Sequence, residues 1–173
     1  EWHQAGMREK KQNVFDDFIA AGEALIGTNP SRLLGQEEYA SRKYTSPSHL
    51  GITGGSNGGL LVGVALVQRP DLWSAVNCDV PLLDMLRFHF TEGGKYWRSE
   101  YGDPEDPDDF KFLGAYSPYH QARKRERYPA VLLETSLGDD RGVDPMHAMK
   151  MAACLQASTT SGKPILLQVK DNT

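Results

Sequence analysis

Apolar residues recur at helical spacing over residues 11–26: Val14, Phe15, Phe18, Ile19, Leu25 and Ile26, with Asp16, Asp17 and Glu23 between them. The spacing predicts an amphipathic helix, and Gly27-Thr28-Asn29-Pro30 predicts its end. Residues 31–45 are polar and irregular, with a short helix expected over 36–42. Ser46-Pro47-Ser48 predicts a turn, and residues 49–53 a short strand. Residues 57–68 are apolar on nearly every side (Leu60, Leu61, Val62, Val64, Ala65, Leu66, Val67), which predicts a buried helix. Arg69-Pro70-Asp71 stops it. Residues 74–80 read as a strand and 130–135 as a buried strand. Residues 145–155 read as a helix with Pro145 in its first turn, and 164–169 as a final strand. Between 81 and 128, Pro104, Pro107 and Pro118 break the chain into short helices and loops. Strands that alternate with helices predict a mostly parallel sheet with helices on both faces, an α/β fold.

Between the first strand and the apolar helix lies Gly54-Gly55-Ser56-Asn57-Gly58-Gly59. This is Gly-x-Ser-x-Gly at a strand-to-helix turn, the nucleophile elbow of α/β-hydrolases. A serine on so sharp a turn takes strained backbone angles, and small neighbours let strand and helix approach closely around it. The amides that open the next helix point where a developing oxyanion would sit. The pentapeptide alone also fits an ordinary glycine-rich turn. The flanking strand and helix, and an acid further on, favour the elbow.

That acid follows the strand over 130–135, in Ser136-Leu137-Gly138-Asp139-Asp140-Arg141. Function in an open α/β sheet gathers at the carboxyl ends of its strands. An aspartate there can hold a histidine in the right tautomer. Asp139 and Asp140 could instead cap the following helix or close a turn. In this fold the histidine comes last, yet none follows His147, which falls inside the helical stretch and reads as packing or helix surface. His3, His49, His89 and His120 all precede the acid.

Composition narrows the classes. The chain has 173 residues, 39% hydrophobic and 24% charged, which suits one domain of a soluble globular protein. No apolar run approaches the ~20 residues that span a bilayer. No signal peptide is visible, and the polar start at Glu1 without an initiator Met suggests part of something larger. A net charge of −4 without a basic stripe argues against a nucleic-acid partner. The basic run Arg123-Lys124-Arg125-Glu126-Arg127 reads as a solvated loop. Cys78 and Cys154 lack metal or Cys-x-x-Cys spacing and are expected as buried free thiols, with a cytoplasmic setting as the default.

The whole chain resembles the catalytic domain of prolyl oligopeptidase-family serine peptidases. The resemblance rests on Glu1-Trp2-His3, the run from Lys11 to Ala20, the block from Gly54 to Val62, Arg69-Pro70-Asp71-Leu72 and the block from Val80 to Leu86. It continues through Trp97, Glu100-Tyr101-Gly102-Asp103, Tyr116-Ser117-Pro118-Tyr119-His120, and Asp139-Asp140-Arg141 with Pro145 and His147. It implies an α/β-hydrolase fold truncated at both ends, one partial catalytic domain over residues 1–173. Ser56 would be the nucleophile, the amide of Asn57 an oxyanion donor and Asp139 the triad acid. Trp97 would stack on the substrate proline, or else be a core aromatic. Arg141 would grip a substrate carbonyl, or else pair with Asp140 or Glu134. The substrate would be a short proline-containing peptide cleaved after proline, with no cofactor and no membrane partner.

Three departures stand beside the resemblance. The family's histidine loop lies beyond the last matched strand. Its tyrosine oxyanion donor, its first strands and its β-propeller lie upstream of Glu1. Residues 28–44 look longer than in relatives, and Gly142 looks like an insertion that bears on Arg141. The 173 residues alone are therefore expected to be inactive and poorly soluble. Two other readings remain: an esterase or aminopeptidase on the same fold, and a truncated, non-catalytic binding module.

Overall fold

The computed structural model describes residues 1–28, 42–137 and 142–170. Two short 3-10 turns lead into α1 (Gln12–Ile26), close to its expected span. It ends at Gly27, whose φ of 75° is left-handed and whose N–H donates back to the carbonyls of the last turn. Glycine takes that conformation without the Cβ penalty. The short helix expected over 36–42 falls on residues almost all outside the described ones.

Among the described residues four strands form the sheet: β1 (Gly51–Gly55), β2 (Ala75–Asp79), β3 (Ala130–Ser136) and β4 (Ile165–Lys170). They lie in the order β1-β2-β3-β4 and every pairing is parallel. Each connection is a crossover. The first contains α2 (Asn57–Gln68). The second contains the short α3 (Arg98–Tyr101), α4 (Pro107–Tyr116) and α5 (Pro118–Gln121). The third contains α6 (Met146–Ser158). Asp106 starts α4 as an N-cap, accepting from the amides of Asp108 and Asp109 at 2.8 and 3.1 Å, the role that side chain suits best.

Alternation along the strands decides the layers. Val76, Cys78, Val131, Leu133 and Ile165 point to one face and are buried. They pack with Val62, Ala65 and Leu66 of α2, with Met151 and Leu155 of α6, and with Ile19 and Ile26 of α1. Burying that surface is the main driving force for the fold. A second cluster joins the other side of α2 (Leu60, Val64) to Val80, Leu82, Met85, Phe88, Tyr101, Tyr116 and Val143. The apolar helix is thus wrapped from both sides, as its sequence demands.

The opposite face of the sheet is a shallow open depression lined by strand residues and Pro164, among them Thr53, Asn77, Leu132 and Leu166. Parallel sheets are normally covered on both faces. The expected second helical layer is not among the described residues. On this face Asn77 donates to Glu134 at 3.0 Å and Lys170 pairs with it at 3.1 Å, and these two partners hold its carboxylate pKa below the usual range.

Two smaller expectations change. Cys78 is buried, but Cys154 is only half-buried. The basic run is exposed as expected, while Tyr128 after it is fully buried, its hydroxyl accepting from the Arg123 amide at 2.7 Å.

Candidate active site

The site begins with a close approach. A Cβ on Gly54 would overlap the Gly58 carbonyl, and one on Gly59 would lie 2.7 Å from Pro81 Cβ. Only glycine lets β1, α2 and the chain leaving β2 come together here. The tight turn falls on Ser56, at φ 54° and ψ −118°. A non-glycine residue takes a positive φ only where its surroundings over-determine it. Here the Ser56 amide donates to the Asp79 carbonyl at 2.9 Å, and its carbonyl receives the Leu60 amide, the first helical bond of α2, at 3.1 Å. Ser56 stands exposed at the carboxyl end of β1. The amides of Asn57, Gly58 and Gly59 occupy the first turn of α2, where a helix has no internal acceptor for them and concentrates its positive end. A serine hydroxyl beside such a pole can attack an acyl carbon and have the resulting oxyanion stabilised.

The side chain of Asn57 points elsewhere. Its Oδ1 accepts a 2.8 Å hydrogen bond from the buried phenol of Tyr101, the last residue of α3. Burial, followed by the charge of Glu100, raises the Tyr101 pKa, so the phenol stays a donor. Trp97 precedes Tyr101 by one helical turn. It closes a 3-10 turn, is half-buried, and packs against the cluster around Leu60 and Val64. Lys11, itself buried, binds Glu100 at 2.8 Å and lies over the Tyr101 ring. The elbow and the Trp97 segment are therefore tied together. Tyr101 was not singled out from the sequence, although it lies in one of the blocks that carried the resemblance.

Asp139 and Arg141 lie outside the described residues. The chain on either side does not. Strand β3 ends at Ser136, and the chain returns at Gly142, whose φ of 81° suits glycine. Gly142 meets Gly93 backbone to backbone: a Cβ on Gly93 would lie 2.6 Å from the Gly142 carbonyl. The residue read as an insertion thus makes a contact that a side chain on Gly93 would block. Val143 then enters the cluster around Leu60.

Each histidine is accounted for. His3 binds Glu100, and His49 binds Ser46 and Ser48. His89 is buried against Phe88 and Phe90. His120 binds Ser117 and Arg87, and His147 takes two backbone amides. Among the described residues no histidine is hydrogen-bonded to Ser56.

A parallel α/β sheet that carries a strained serine between a strand end and a helix start defines an α/β-hydrolase with a nucleophile elbow. The chain belongs to the prolyl oligopeptidase family, which it matches over residues 1–173. A prolyl endopeptidase of Dictyostelium discoideum is 45% identical over 156 residues, covering 90% of this chain and 19% of that protein. A solved prolyl endopeptidase structure superposes with a TM-score of 0.87 at 50% identity, over 99% of this chain and 23% of the other. Prolyl oligopeptidase B from Galerina marginata, bound to a 35mer hydrolysis and macrocyclization substrate, gives a TM-score of 0.84 at 37% identity, over 98% of this chain and 22% of the other. In that structure a serine is replaced by alanine, and companion substrate-bound structures replace a histidine or an aspartate. The chain spans about a fifth of the length of these relatives. Among the described residues no helix is long and apolar enough to cross a membrane.

Proposed function

We propose that Ser56 is the nucleophile of a serine peptidase that cleaves short peptides after proline. The observation that carries the reading is the backbone of Ser56, held at φ 54° between Gly54 and Gly58 at the mouth of α2. Ser56 Oγ would attack the carbonyl after proline, and its proton would pass to a histidine. The oxyanion would rest on the Asn57 amide. Collapse of the tetrahedral species would break the C–N bond, give the proton to the leaving amine and leave an acyl-enzyme for water to hydrolyse. Asp139 is the acid of this scheme. Trp97 stacks on the proline ring and Arg141 grips a substrate carbonyl. The histidine is supplied by a segment that follows the acid in this fold, and a propeller in the same polypeptide restricts entry to short peptides. The cytoplasm is the compartment that two free thiols suit.

Assayed as these 173 residues alone, the polypeptide is expected to turn over about 10⁴–10⁶-fold more slowly than a complete relative, because no histidine follows His147. The test of the nucleophile is labelling by a fluorophosphonate in the polypeptide as its gene encodes it. Labelling that disappears in Ser56→Ala supports the reading. Equal labelling of both, or none in a folded sample that carries the histidine, overturns it.

A further inference from the structure

Four consecutive amides after β2 are held by side chains rather than by secondary structure. The amides of Leu83 and Asp84 both donate to Nδ1 of His147, at 3.3 and 3.0 Å. The Met85 amide donates to Ser117 Oγ at 3.0 Å, and the Leu86 amide to Asp84 Oδ1 at 3.2 Å. The Asp84 carboxylate is fully buried and binds Lys150 of α6, with Arg87 at 3.4 Å and His120 at 3.8 Å. Burial opposes the charge of Asp84, yet Lys150, His120 and Arg87 keep its pKa below the usual carboxylate range. Two donors on Nδ1 fix the tautomer of His147 with its proton on Nε2, which is buried without a partner among the described residues. Apolar residues of similar volume would fill this space at less desolvation cost. What the polar set adds is one defined register between α6 and the chain leaving β2.

That register matters at both ends. The segment 79–83 is the wall of the elbow: Asp79 receives the Ser56 amide, Pro81 abuts Gly59 and Leu83 abuts Gly63. Within it Val80 holds a φ of 40°, which a β-branched residue adopts only under constraint. On the other side, His147 and Lys150 stand in the first turns of α6, at the end of the connection that begins after β3 and contains Asp139 and Arg141.

We propose that His147 is a positioning residue: with the Asp84–Lys150 pair it locks the first turns of α6 to the wall of the elbow, so that the start of α6 and Ser56 keep one mutual placement. The kinetic arm of its test rests on the peptidase reading of Ser56; the exchange arm does not. His147→Asn keeps an acceptor at the δ position. His147→Leu fills the volume without one. Both are made in the polypeptide as its gene encodes it, beside Lys150→Met, which serves where His147→Leu does not fold.

We expect His147→Leu to speed amide exchange about tenfold or more in peptides covering 79–87 and 142–150, because a local lock has been opened. On a Gly-Pro anilide, kcat falls about tenfold or more while KM changes less than about threefold, the pattern of lost placement in the transition state. His147→Asn recovers both, and Lys150→Met repeats the exchange change. Equal effects of Asn and Leu, or a Leu variant that melts lower yet exchanges and turns over like the wild type, would overturn the proposal. If the wild type is itself inactive, or indifferent to Ser56→Ala, the peptidase reading has failed, and exchange alone decides whether the lock exists.

Discussion

The phenol of Tyr101 donates a 2.8 Å hydrogen bond to Oδ1 of Asn57, the residue directly after the strained serine. One end of that bond is the first residue of α2. The other closes the short helix that follows Trp97. A hydrogen bond between residues 44 apart thereby gives half-buried Trp97 and the elbow a fixed relation. Tyr101→Phe removes the hydroxyl and little else. Asn57 is exposed, so water can replace the donor, and the expected loss is about 1 kcal/mol. A urea unfolding curve should show a lower midpoint at unchanged slope. In the peptidase reading kcat/KM falls about fivefold where the same free energy is lost from the transition state. A variant indistinguishable from the wild type in both measurements would mean that the bond steadies neither element.

Gly54 and Gly58 look equivalent in the sequence and are not. A Cβ on Gly54 would overlap the Gly58 carbonyl, whereas a Cβ on Gly58 meets nothing within 4 Å. Gly54→Ala is expected to cost about 3 kcal/mol or more by forcing strand and helix apart. Gly58→Ala is expected to be neutral or to stabilise by up to about 1 kcal/mol, since alanine is the better helix former. Thermal melts of the two variants side by side check the contrast. The reverse ranking would mean that the strand-to-helix contact is not where the backbone places it.

The parts of this fold that were legible in the sequence are those whose causes are local. The apolar run from Leu60 to Val67 announced a buried helix, and the glycines around Ser56 announced the turn before it. The edges of β1 were less legible. The strand runs two residues beyond its expected end because Gly54 and Gly55 pair with Cys78 and Asp79 of β2, and no intrinsic preference of glycine foretells that. The lock around Asp84 was not legible at all. Its partners His147 and Lys150 lie 63 and 66 residues away, and a lone histidine in a helical run carries no sign of whose amides it will receive.

Strain at the elbow gives a prediction of the opposite sign from most substitutions. Ser56 is held at φ 54°, which costs a side chain of order 1–3 kcal/mol. Glycine has no Cβ penalty there. Ser56→Gly should therefore melt higher than Ser56→Ala by about 1 kcal/mol, with fluorophosphonate labelling absent from both. If the two variants melt together, the elbow stores no appreciable strain.

The acid limb of stability should report His147. Burial pushes its pKa down to about 4, with Asp84 and Asp144 opposing that fall and Lys150 adding to it. In the unfolded chain a histidine titrates near ~6.5. Between those values the unfolded state binds the extra proton and the folded state does not, so stability rises with pH through this window. The contribution is present above pH ~6.5 and is lost as pH falls toward about 4, by about 3 kcal/mol in all. His89 and His120, whose pKa values are also lowered chiefly by burial, act in the same direction, so the wild-type slope alone does not isolate His147. His147→Asn keeps the amide acceptor and cannot titrate. Urea midpoints from pH 7.5 to 4.5 should fall clearly less in this variant than in the wild type. Parallel curves would mean that His147 takes up its proton as readily in the folded protein as in the unfolded chain.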